Sequence, residues 1–268
     1  MKLFDTHCHL QDEQIQKDIA GILSRAEHAG VIRMLSCSTA EKDWHKTEEI
    51  CSADKVVLPA FGIHPWYLSD RSKVWSESLQ EILARYPSAA IGEIGIDHAV
   101  QDRNDAEQED VFTDQLAIAI DMSRPFSLHC RKAWQRLLAI LKAMGPFPRP
   151  FVLHSYSGGV ELIKPLSAAG AYFSFSGSIT RPNNKKGRVS ASTVPLDKLL
   201  IETDSPDLYP SVPEEDQQNR NALSPKPVNE PANLVHVISC LAQLRKMDAD
   251  KLADILWDNS VQVFGGHQ

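Results

Sequence analysis

Two histidines one residue apart stand at the end of the first apolar run of the chain. His7 and His9 follow Leu3-Phe4, with Cys8 between them. Side chains alternate along a β-strand, so the two imidazoles would lie on one face and the thiol on the other. Two imidazoles on one face can bind a single metal ion if that face borders a cavity. The pair therefore predicts a metal site, although two histidines near a terminus also occur on surfaces that bind nothing.

Further potential ligands stand where later apolar runs end. In chain order they are Glu93, His129, His154 and Asp204. A single histidine at a strand end is more often a structural residue than a ligand. Six ligand-type residues, each at the same position relative to its strand, are hard to explain unless they share one site.

The combination of residue types indicates a pair of metal ions and hydrolysis. Two divalent ions about 3.5–4 Å apart need imidazoles on both sides and a carboxylate between them. Imidazole and carboxylate ligands favour zinc, manganese or similar ions over calcium. We expect Glu93, near the middle of the set, to bridge the ions. We expect Asp204 to bind one ion and to act as the general base toward a water that the ions activate.

The ligand-type residues would be positioned by predicted strands, which are short runs of β-branched and apolar residues. These runs alternate with helix-like segments. The candidate strands are Leu3–His7, Val31–Ser36, Val56–Gly62, Ala89–Glu93, Pro125–His129, Phe151–His154, Ala171–Ser174 and Leu199–Thr203. Amphipathic stretches lie between them, and the closing helices are predicted at the end of the chain. The clearest of these helical stretches are Glu109–Met122, Lys132–Met144, Gly159–Ala169, Leu234–Leu244 and Lys251–Trp257.

Eight strand-then-helix units in 268 residues match the size of a single-domain (β/α)8 TIM barrel over residues 1–268. A doubly wound open sheet is the alternative. It is disfavoured because no Gly-x-Gly-x-x-Gly follows the first strand, and because polar residues end many strands, not two neighbouring ones. In a barrel, all of those strand ends meet at one rim, where active sites lie.

Composition limits the class of protein. Hydrophobic residues make up 43% and charged residues 24% of the chain, which is typical of a globular domain. No stretch approaches the roughly 18 apolar residues of a membrane span, and no signal segment is evident. The odd number of cysteines, without a C-x-x-C pair, suits a reducing compartment and predicts a cytoplasmic location. We expect a monomer with no membrane or obligate protein partner.

Seven motifs then resemble, in order and spacing, the motif series of the TatD family. They are Asp5–Leu10, Gly62–Pro65, Gly92–Asp97, Leu128–Arg131, His154–Gly158, Glu202–Pro206 and Asn229–Asn233. TatD proteins are metal-dependent hydrolases of the amidohydrolase superfamily with a TIM-barrel fold, and several are deoxyribonucleases, including 3′-to-5′ exonucleases on single strands. The resemblance covers the chain from residue 5 to about 264, and it implies DNA as the substrate.

The resemblance also implies how the ligands divide. One metal ion would be held by His7, His9, Glu93 and Asp204, and a second by His129, His154 and Glu93. The protein would then carry one or two divalent ions of the zinc, manganese or magnesium type. The departures from the family pattern include His98, which stands where an aromatic residue is common, and Val228, which replaces an arginine.

Three further residues are candidates for contact with the substrate. His64 ends the third strand and could donate to a phosphate oxygen, or bond only to backbone. Arg131 follows His129 and could pair with a phosphate, or be an ordinary surface arginine. Trp66 could stack on a base, whereas the tryptophans of the chain are more often core residues.

Other functions remain open at this stage. The formal net charge of −7 lacks the overall excess of positive charge that is typical of proteins that bind nucleic acid. RNA or a small phosphoester is therefore an alternative substrate. A non-nucleolytic amidohydrolase-type enzyme is a second alternative, although relatives of that kind bridge their metals with a carboxylated lysine where this chain has Glu93. A barrel that holds metals without turnover is the third, and Asp204 argues against it.

Residues 206–231 contain six prolines and an acidic Glu214-Glu215-Asp216 stretch. Prolines at this density preclude a long helix or a central strand. The segment is predicted to be a long loop after the last strand that either covers part of the site or is a surface excursion.

Overall fold

The apolar runs form eight parallel strands in a single sheet. The structure is a computed structural model that describes residues 1–101, 103–211 and 228–265. In chain order β1 to β8 are Leu3–Cys8, Val31–Cys37, Val57–Phe61, Ala90–Asp97, Phe126–Arg131, Phe151–Leu153, Ala171–Phe175 and Leu199–Ile201. Each strand pairs in parallel with the next one along the chain. Because this order has no switch point, the predicted (β/α)8 barrel is confirmed and the doubly wound alternative is wrong.

Helices follow the strands as the amphipathic stretches predicted. In the described ranges α1 to α10 are Glu13–Gln16, Ile19–His28, Trp44–Ala53, Trp75–Arg85, Asp105–Asp121, Trp134–Met144, Ile163–Ala168, Lys185–Thr193, Leu234–Arg245 and Ala249–Phe264. Helix α5 differs from the prediction, which placed its start at Glu109. It begins four residues earlier because the side chain of Asn104 accepts a hydrogen bond from Glu107 N and caps the helix there.

The last strand meets the first at a seam that carries part of the candidate site. Thr6 Oγ1 donates to Ile201 O at 2.8 Å, and Asp204 N donates to His7 O at 2.9 Å. These bonds link the end of β8 to β1. They also place the backbone of Asp204 directly beside that of His7, although the two residues are 197 positions apart in the chain.

The opposite end of the barrel is closed by apolar side chains from the last helix. Phe4 and Leu35 belong to a buried cluster that also contains Val263 and Phe264 of α10. The ring of Phe4 lies 6.1 Å from that of Phe264 and 6.1 Å from that of Trp257, centre to centre. Because apolar side chains fill this end, the candidate site lies at the other end of the barrel, at the carboxyl ends of the strands.

Strand β4 runs four residues beyond its predicted end at Glu93, to Asp97. It contains Gly95, whose φ of 149° is a conformation that favours glycine. A Cβ atom at Gly95 would lie 2.0 Å from His129 O, so only glycine permits β4 to approach β5 this closely. The close approach brings the carboxylates of β4 next to His129.

The predicted loop at 206–231 falls partly on residues that the structure describes. Pro206–Ser211 and Val228–Glu230 are irregular, as expected, and the Glu214-Glu215-Asp216 stretch lies outside the described residues. Asn229 ties the two ends together, because its Nδ2 donates to Thr203 O at 2.9 Å and to Asp207 O at 2.8 Å. Among the described residues, no helix has the length and apolar character that crossing a membrane would need.

Candidate metal centre

The six ligand-type residues predicted from strand ends come together at the carboxyl end of the barrel. Their side chains are buried or nearly so, with at most 13% of the side-chain surface exposed. The set consists of His7 in β1, His9 just after it, Glu93 in β4, His129 in β5, His154 just after β6 and Asp204 just after β8. The chain therefore concentrates four imidazoles and two carboxylates in one place.

One group of donor atoms surrounds a point between β1 and β8. His7 Nε2 lies 3.3 Å from His9 Nε2 and 3.3 Å from Glu93 Oε2. His9 Nε2 lies 3.5 Å from Glu93 Oε2 and 3.5 Å from Asp204 Oδ1. Around a tetrahedral ion with ligands at 2.0–2.2 Å, neighbouring donor atoms are about 3.3–3.6 Å apart. The group matches that spacing, apart from a slightly longer separation of 3.8 Å between His7 Nε2 and Asp204 Oδ1.

The other oxygen of Glu93 faces a second group. Glu93 Oε1 lies 2.9 Å from His129 Nδ1 and 2.7 Å from His154 Nε2. The two imidazole nitrogens are 3.3 Å apart. One carboxylate thus presents a different oxygen to each group, which is the arrangement that a carboxylate bridging two ions needs.

Hydrogen bonds on the far side of the rings fix which nitrogen is free. His9 Nδ1 lies 2.7 Å from Cys37 O, and a carbonyl can only accept, so Nδ1 carries a hydrogen and Nε2 is the nitrogen that the neutral ring would offer to a metal ion. His129 Nε2 lies 3.0 Å from Asp97 Oδ2. The pKa of Asp97 lies well below its usual range: burial would raise it, but hydrogen bonds from His129 and others lower it. His129 therefore donates to a charged carboxylate through Nε2, so Nδ1 is the nitrogen that faces Glu93 and would bind an ion.

The remaining two rings have polar neighbours behind them, within hydrogen-bond distance for His7 and farther away for His154. His7 Nδ1 lies 2.9 Å from Ser127 Oγ. His154 Nδ1 lies 3.5 Å from Glu202 Oε1, which also accepts a hydrogen bond from Ser155 N. Glu202, which alternates with Asp204 in the sequence, thus lies near a ring of the cluster. Ser127 was missed by the sequence reasoning, although the same alternation relates it to His129 on β5.

Burial and mutual charge set the protonation of the cluster. Burial would raise the pKa of Glu93, but the surrounding imidazoles hold it well below its usual range. Burial would also raise the pKa of Asp204. A hydrogen bond from His9 and the charges of His154 and His7 lower that pKa below its usual value. Burial lowers the pKa of His9, whereas Asp204 and Glu93 outweigh burial and raise it to about 9. Without metal, this pocket therefore keeps its carboxylates charged and holds protons on imidazole.

His64 is oriented differently from the four other rings. Its Nδ1 accepts a hydrogen bond from Trp66 N at 3.1 Å, and its Nε2 lies 3.5 Å from Glu93 Oε1. Burial lowers the pKa of His64 well below its usual value, so the ring is neutral. A neutral ring that accepts through Nδ1 carries its hydrogen on Nε2. His64 thus faces the cluster with a donor, whereas a metal ligand needs a lone pair there.

Trp66 and Arg131 lie at the edge of the cluster. Half of the Trp66 surface is exposed, and its Nε1 donates to Asp97 Oδ2 at 2.8 Å. The guanidinium of Arg131 lies 6.0 Å from the Trp66 ring centre and 3.5 Å from Asp97 Oδ2. His98 is directed elsewhere, with its Nε2 3.8 Å from Asp105 Oδ1. Trp66 therefore offers an exposed aromatic surface beside the cluster.

A cavity of about 700 Å³ opens above these residues. Besides members of the cluster, it is lined by side chains from the segments that follow β1, β2, β3 and β8. These are Gln11, Asp12, Glu13, Gln16, Thr39, Lys42, Asp43, His45, Lys46, Trp66, Tyr67, Pro206 and Asp207. The contribution from the segment after β2 was missed, because lysines at this spacing are typical of an ordinary solvated helix surface.

Comparison with known proteins agrees with this geometry. Residues 4–265 match the family model for TatD related DNase. The chain belongs to the TatD-related DNase family. A 3′-5′ ssDNA/RNA exonuclease TatD from Escherichia fergusonii is 31% identical over 269 aligned residues, covering 98% of this chain and 99% of that protein.

Another TatD-related protein has both a similar sequence and a solved structure. YjjV of Escherichia coli K12, named an uncharacterized metal-dependent hydrolase, is 30% identical over 265 residues, 98% of each chain. Its crystal structure superposes with a TM-score of 0.90 at 29% identity, covering 99% of this chain and 98% of that one. A TatD family hydrolase from Entamoeba histolytica shares the fold, with a TM-score of 0.86 at 20% identity and 98% coverage of both chains.

Proposed function

We propose that this chain is a divalent-metal-dependent hydrolase that cleaves phosphodiester bonds of single-stranded DNA. One ion would lie among His7, His9, Glu93 and Asp204, and a second among His129, His154 and Glu93. The observation that carries the proposal is the division of the two Glu93 oxygens between two separate groups of donors. The catalytic domain would extend over the whole chain, 1–268.

The donor atoms fit such ions. Both groups combine imidazole nitrogen with carboxylate oxygen, a set that suits zinc or manganese and excludes a preference for calcium. Ions bound there would supply the Lewis acidity that activates water and offsets the charge of a phosphate. Hydrogen bonds on the far side hold the rings of His7, His9 and His129, as in sites where the orientation of the histidines matters for affinity.

The side chains of the cluster would divide the remaining work. Asp204 Oδ1 stands at the edge of the first group, and its lowered pKa keeps it ionised near neutral pH, so it can accept a proton from the attacking water. Glu93 would hold the two ions at a fixed separation. His64 would donate from Nε2 to an oxygen of the phosphate, because its Nδ1 is occupied by Trp66 N.

Single-stranded nucleic acid fits the rim of this site. Trp66 offers an exposed ring on which an unpaired base can stack, and stacking is worth about 1–3 kcal/mol per base. Arg131 beside it carries a positive charge that a neighbouring phosphate can approach. The name of the Escherichia fergusonii relative, a 3′-5′ ssDNA/RNA exonuclease, points to the same class of substrate.

A second candidate is hydrolysis of RNA or of a small phosphoester. The formal net charge of −7 favours the small phosphoester, because proteins that bind long nucleic acids usually carry a basic face. Val228, where an arginine is expected from the family pattern, removes another positive charge near the rim.

Parallel assays of metal-loaded protein separate these candidates. The substrates are single-stranded DNA, single-stranded RNA and p-nitrophenyl esters of phosphate and carboxylate. We expect cleavage of DNA, and a loss of about 10²- to 10⁴-fold in kcat for Asp204→Asn. Asp207→Asn, which removes an exposed carboxylate of the same cavity outside both donor groups, is the matched control and should stay active. Turnover of RNA or esters without cleavage of DNA would refute the proposal.

A further inference from the structure

The cavity extends well beyond the cluster, along the segment that follows β2. Among the described residues that line it, the two lysines, Lys42 and Lys46, both belong to this segment, and His45 lies between them. Lys42 is in the short helical turn Glu41–Asp43, and Lys46 is in the first turn of α3. Two lysines therefore border the same cavity as the cluster, on the side of the segment after β2.

The wall between the cluster and Lys42 is continuous. The ring centres of His64 and Tyr67 are 6.1 Å apart, and Lys42 Nζ lies 5.4 Å from the centre of the Tyr67 ring. A strand with one nucleotide at the cluster would next pass the aromatic ring of Tyr67 and then the positive charge of Lys42. Aromatic and cationic side chains in sequence are how proteins track a single strand.

Most other polar groups on this wall are already engaged. Gln11 Nε2 donates to Cys37 O and Gln16 Nε2 donates to Leu10 O, each at 2.7 Å. The Oδ2 atom of Asp43 accepts three hydrogen bonds from the two residues at 39 and 40. These bonds hold the wall in place, and the two lysines are the cationic donors on it.

The lysines have partners that an anion can replace. Lys42 Nζ lies 2.8 Å from Asp70 Oδ2, and Lys46 pairs with Glu49. Both pairs are at the surface, where an ion pair contributes only about 0.2–1 kcal/mol. Because each pair contributes so little, a backbone phosphate can displace the carboxylate from its ammonium group at a small cost.

We propose that Lys42 and Lys46 form a second phosphate subsite, which binds a backbone phosphate of the substrate beyond the phosphodiester that is cleaved. The inference rests on the proposed function, since it assigns the substrate as a polynucleotide strand and not as a single phosphoester. The subsite would give the enzyme a preference for oligonucleotides, because only they reach both the cluster and the lysines.

The test measures binding separately from cleavage. The probe is a fluorescent oligothymidylate of about eight nucleotides with phosphorothioate linkages, titrated by anisotropy at several salt concentrations. The double variant Lys42→Met/Lys46→Met is compared with Lys55→Met/Lys73→Met, which removes the same charge from two exposed lysines outside the lining residues. For the first double variant we expect about tenfold weaker binding. The slope of the logarithm of the binding constant against the logarithm of salt concentration should fall in magnitude by about one per lysine. The second double variant should bind as the wild type does.

Turnover supplies the second readout. For the Lys42/Lys46 variant, KM should rise by a larger factor on the oligodeoxynucleotide than on thymidine 5′-p-nitrophenyl phosphate, which carries one phosphate. The subsite would be refuted if the two double variants bound the probe with equal affinity. It would also be refuted if KM of the Lys42/Lys46 variant rose by the same factor on both substrates. Loss of probe binding in the Lys42/Lys46 variant, in a protein that hydrolyses neither substrate, would support the subsite while refuting the proposed hydrolysis.

Discussion

Asp97 Oδ2 lies 3.0 Å from His129 Nε2, on the opposite side of the ring from Glu93. This contact fixes the hydrogen of the imidazole on Nε2 and leaves Nδ1 free to bind a metal ion. In Asp97→Asn the amide can donate to the ring and force the hydrogen onto Nδ1. We expect metal affinity, measured by competition with a chromophoric chelator, to fall about 10- to 100-fold.

The matched control for this change is Asp121→Asn, an exposed carboxylate at the end of α5. It should leave metal affinity unchanged. If Asp97→Asn also binds metal as the wild type does, the contact between Asp97 and His129 has no part in holding an ion.

His64 should act on the substrate and not on the metal. We expect His64→Ala to lower kcat/KM by about 10- to 100-fold, the cost of one hydrogen bond to a charged group, while metal content stays the same. His64→Gln, which retains a donor, should recover part of the activity. A metal content that drops by one ion in His64→Ala would show that His64 is a ligand after all.

Metal binding should release protons. In the metal-free protein, the carboxylates of Asp204 and Glu93 outweigh burial and raise the pKa of His9 to about 9, so the ring is protonated at pH 7. A metal ion can bind only the neutral ring and must displace that proton. Apparent affinity should therefore increase by about tenfold per pH unit for each displaced proton, and level off above about pH 9.

Calorimetry in buffers of different ionisation enthalpy counts the protons directly. At least one proton should leave at pH 7. His154, whose pKa the charge of Glu93 and the other nearby acids raise despite burial, adds to that number. Metal affinity that does not change between pH 6 and 9 would contradict this account of the cluster.

Glu93 can be tested by elemental analysis. If its two oxygens serve two ions, Glu93→Ala should lower bound metal from about two ions per chain to one or none. Glu13→Ala, which removes a carboxylate of the cavity wall that belongs to neither group, should keep the wild-type content. Equal metal content in Glu93→Ala and the wild type would mean that Glu93 is not a ligand.

The strand ends were predictable because each strand is a short apolar run followed by a polar residue. The end of β4 was not predictable, because Gly92 and Gly95 are typical of a turn. Only the close approach of β5 at His129 explains why a strand continues through Gly95. The six ligand-type residues were found for the same reason as the strands. Their position at a strand end is a local property, and the barrel then brings the ends together.

Orientation within the site could not be read from the sequence. Whether His64 offers a donor or a lone pair is decided by a hydrogen bond from Trp66 N, and the order of residues alone does not specify it. Likewise, the Nε1 atom of Trp66 finds Asp97 across 31 positions in the chain. Such contacts depend on side-chain packing between segments after different strands, which periodicity and spacing do not encode.

The central claim is that Glu93 stands between two metal ions. Anomalous diffraction from crystals of the manganese- or zinc-loaded protein tests it most directly. We expect two peaks about 3.5–4 Å apart, one within reach of His7, His9 and Asp204 and the other of His129 and His154, with one Glu93 oxygen on each. Peaks remote from these side chains, or a Glu93 carboxylate that contacts neither ion, would contradict the account.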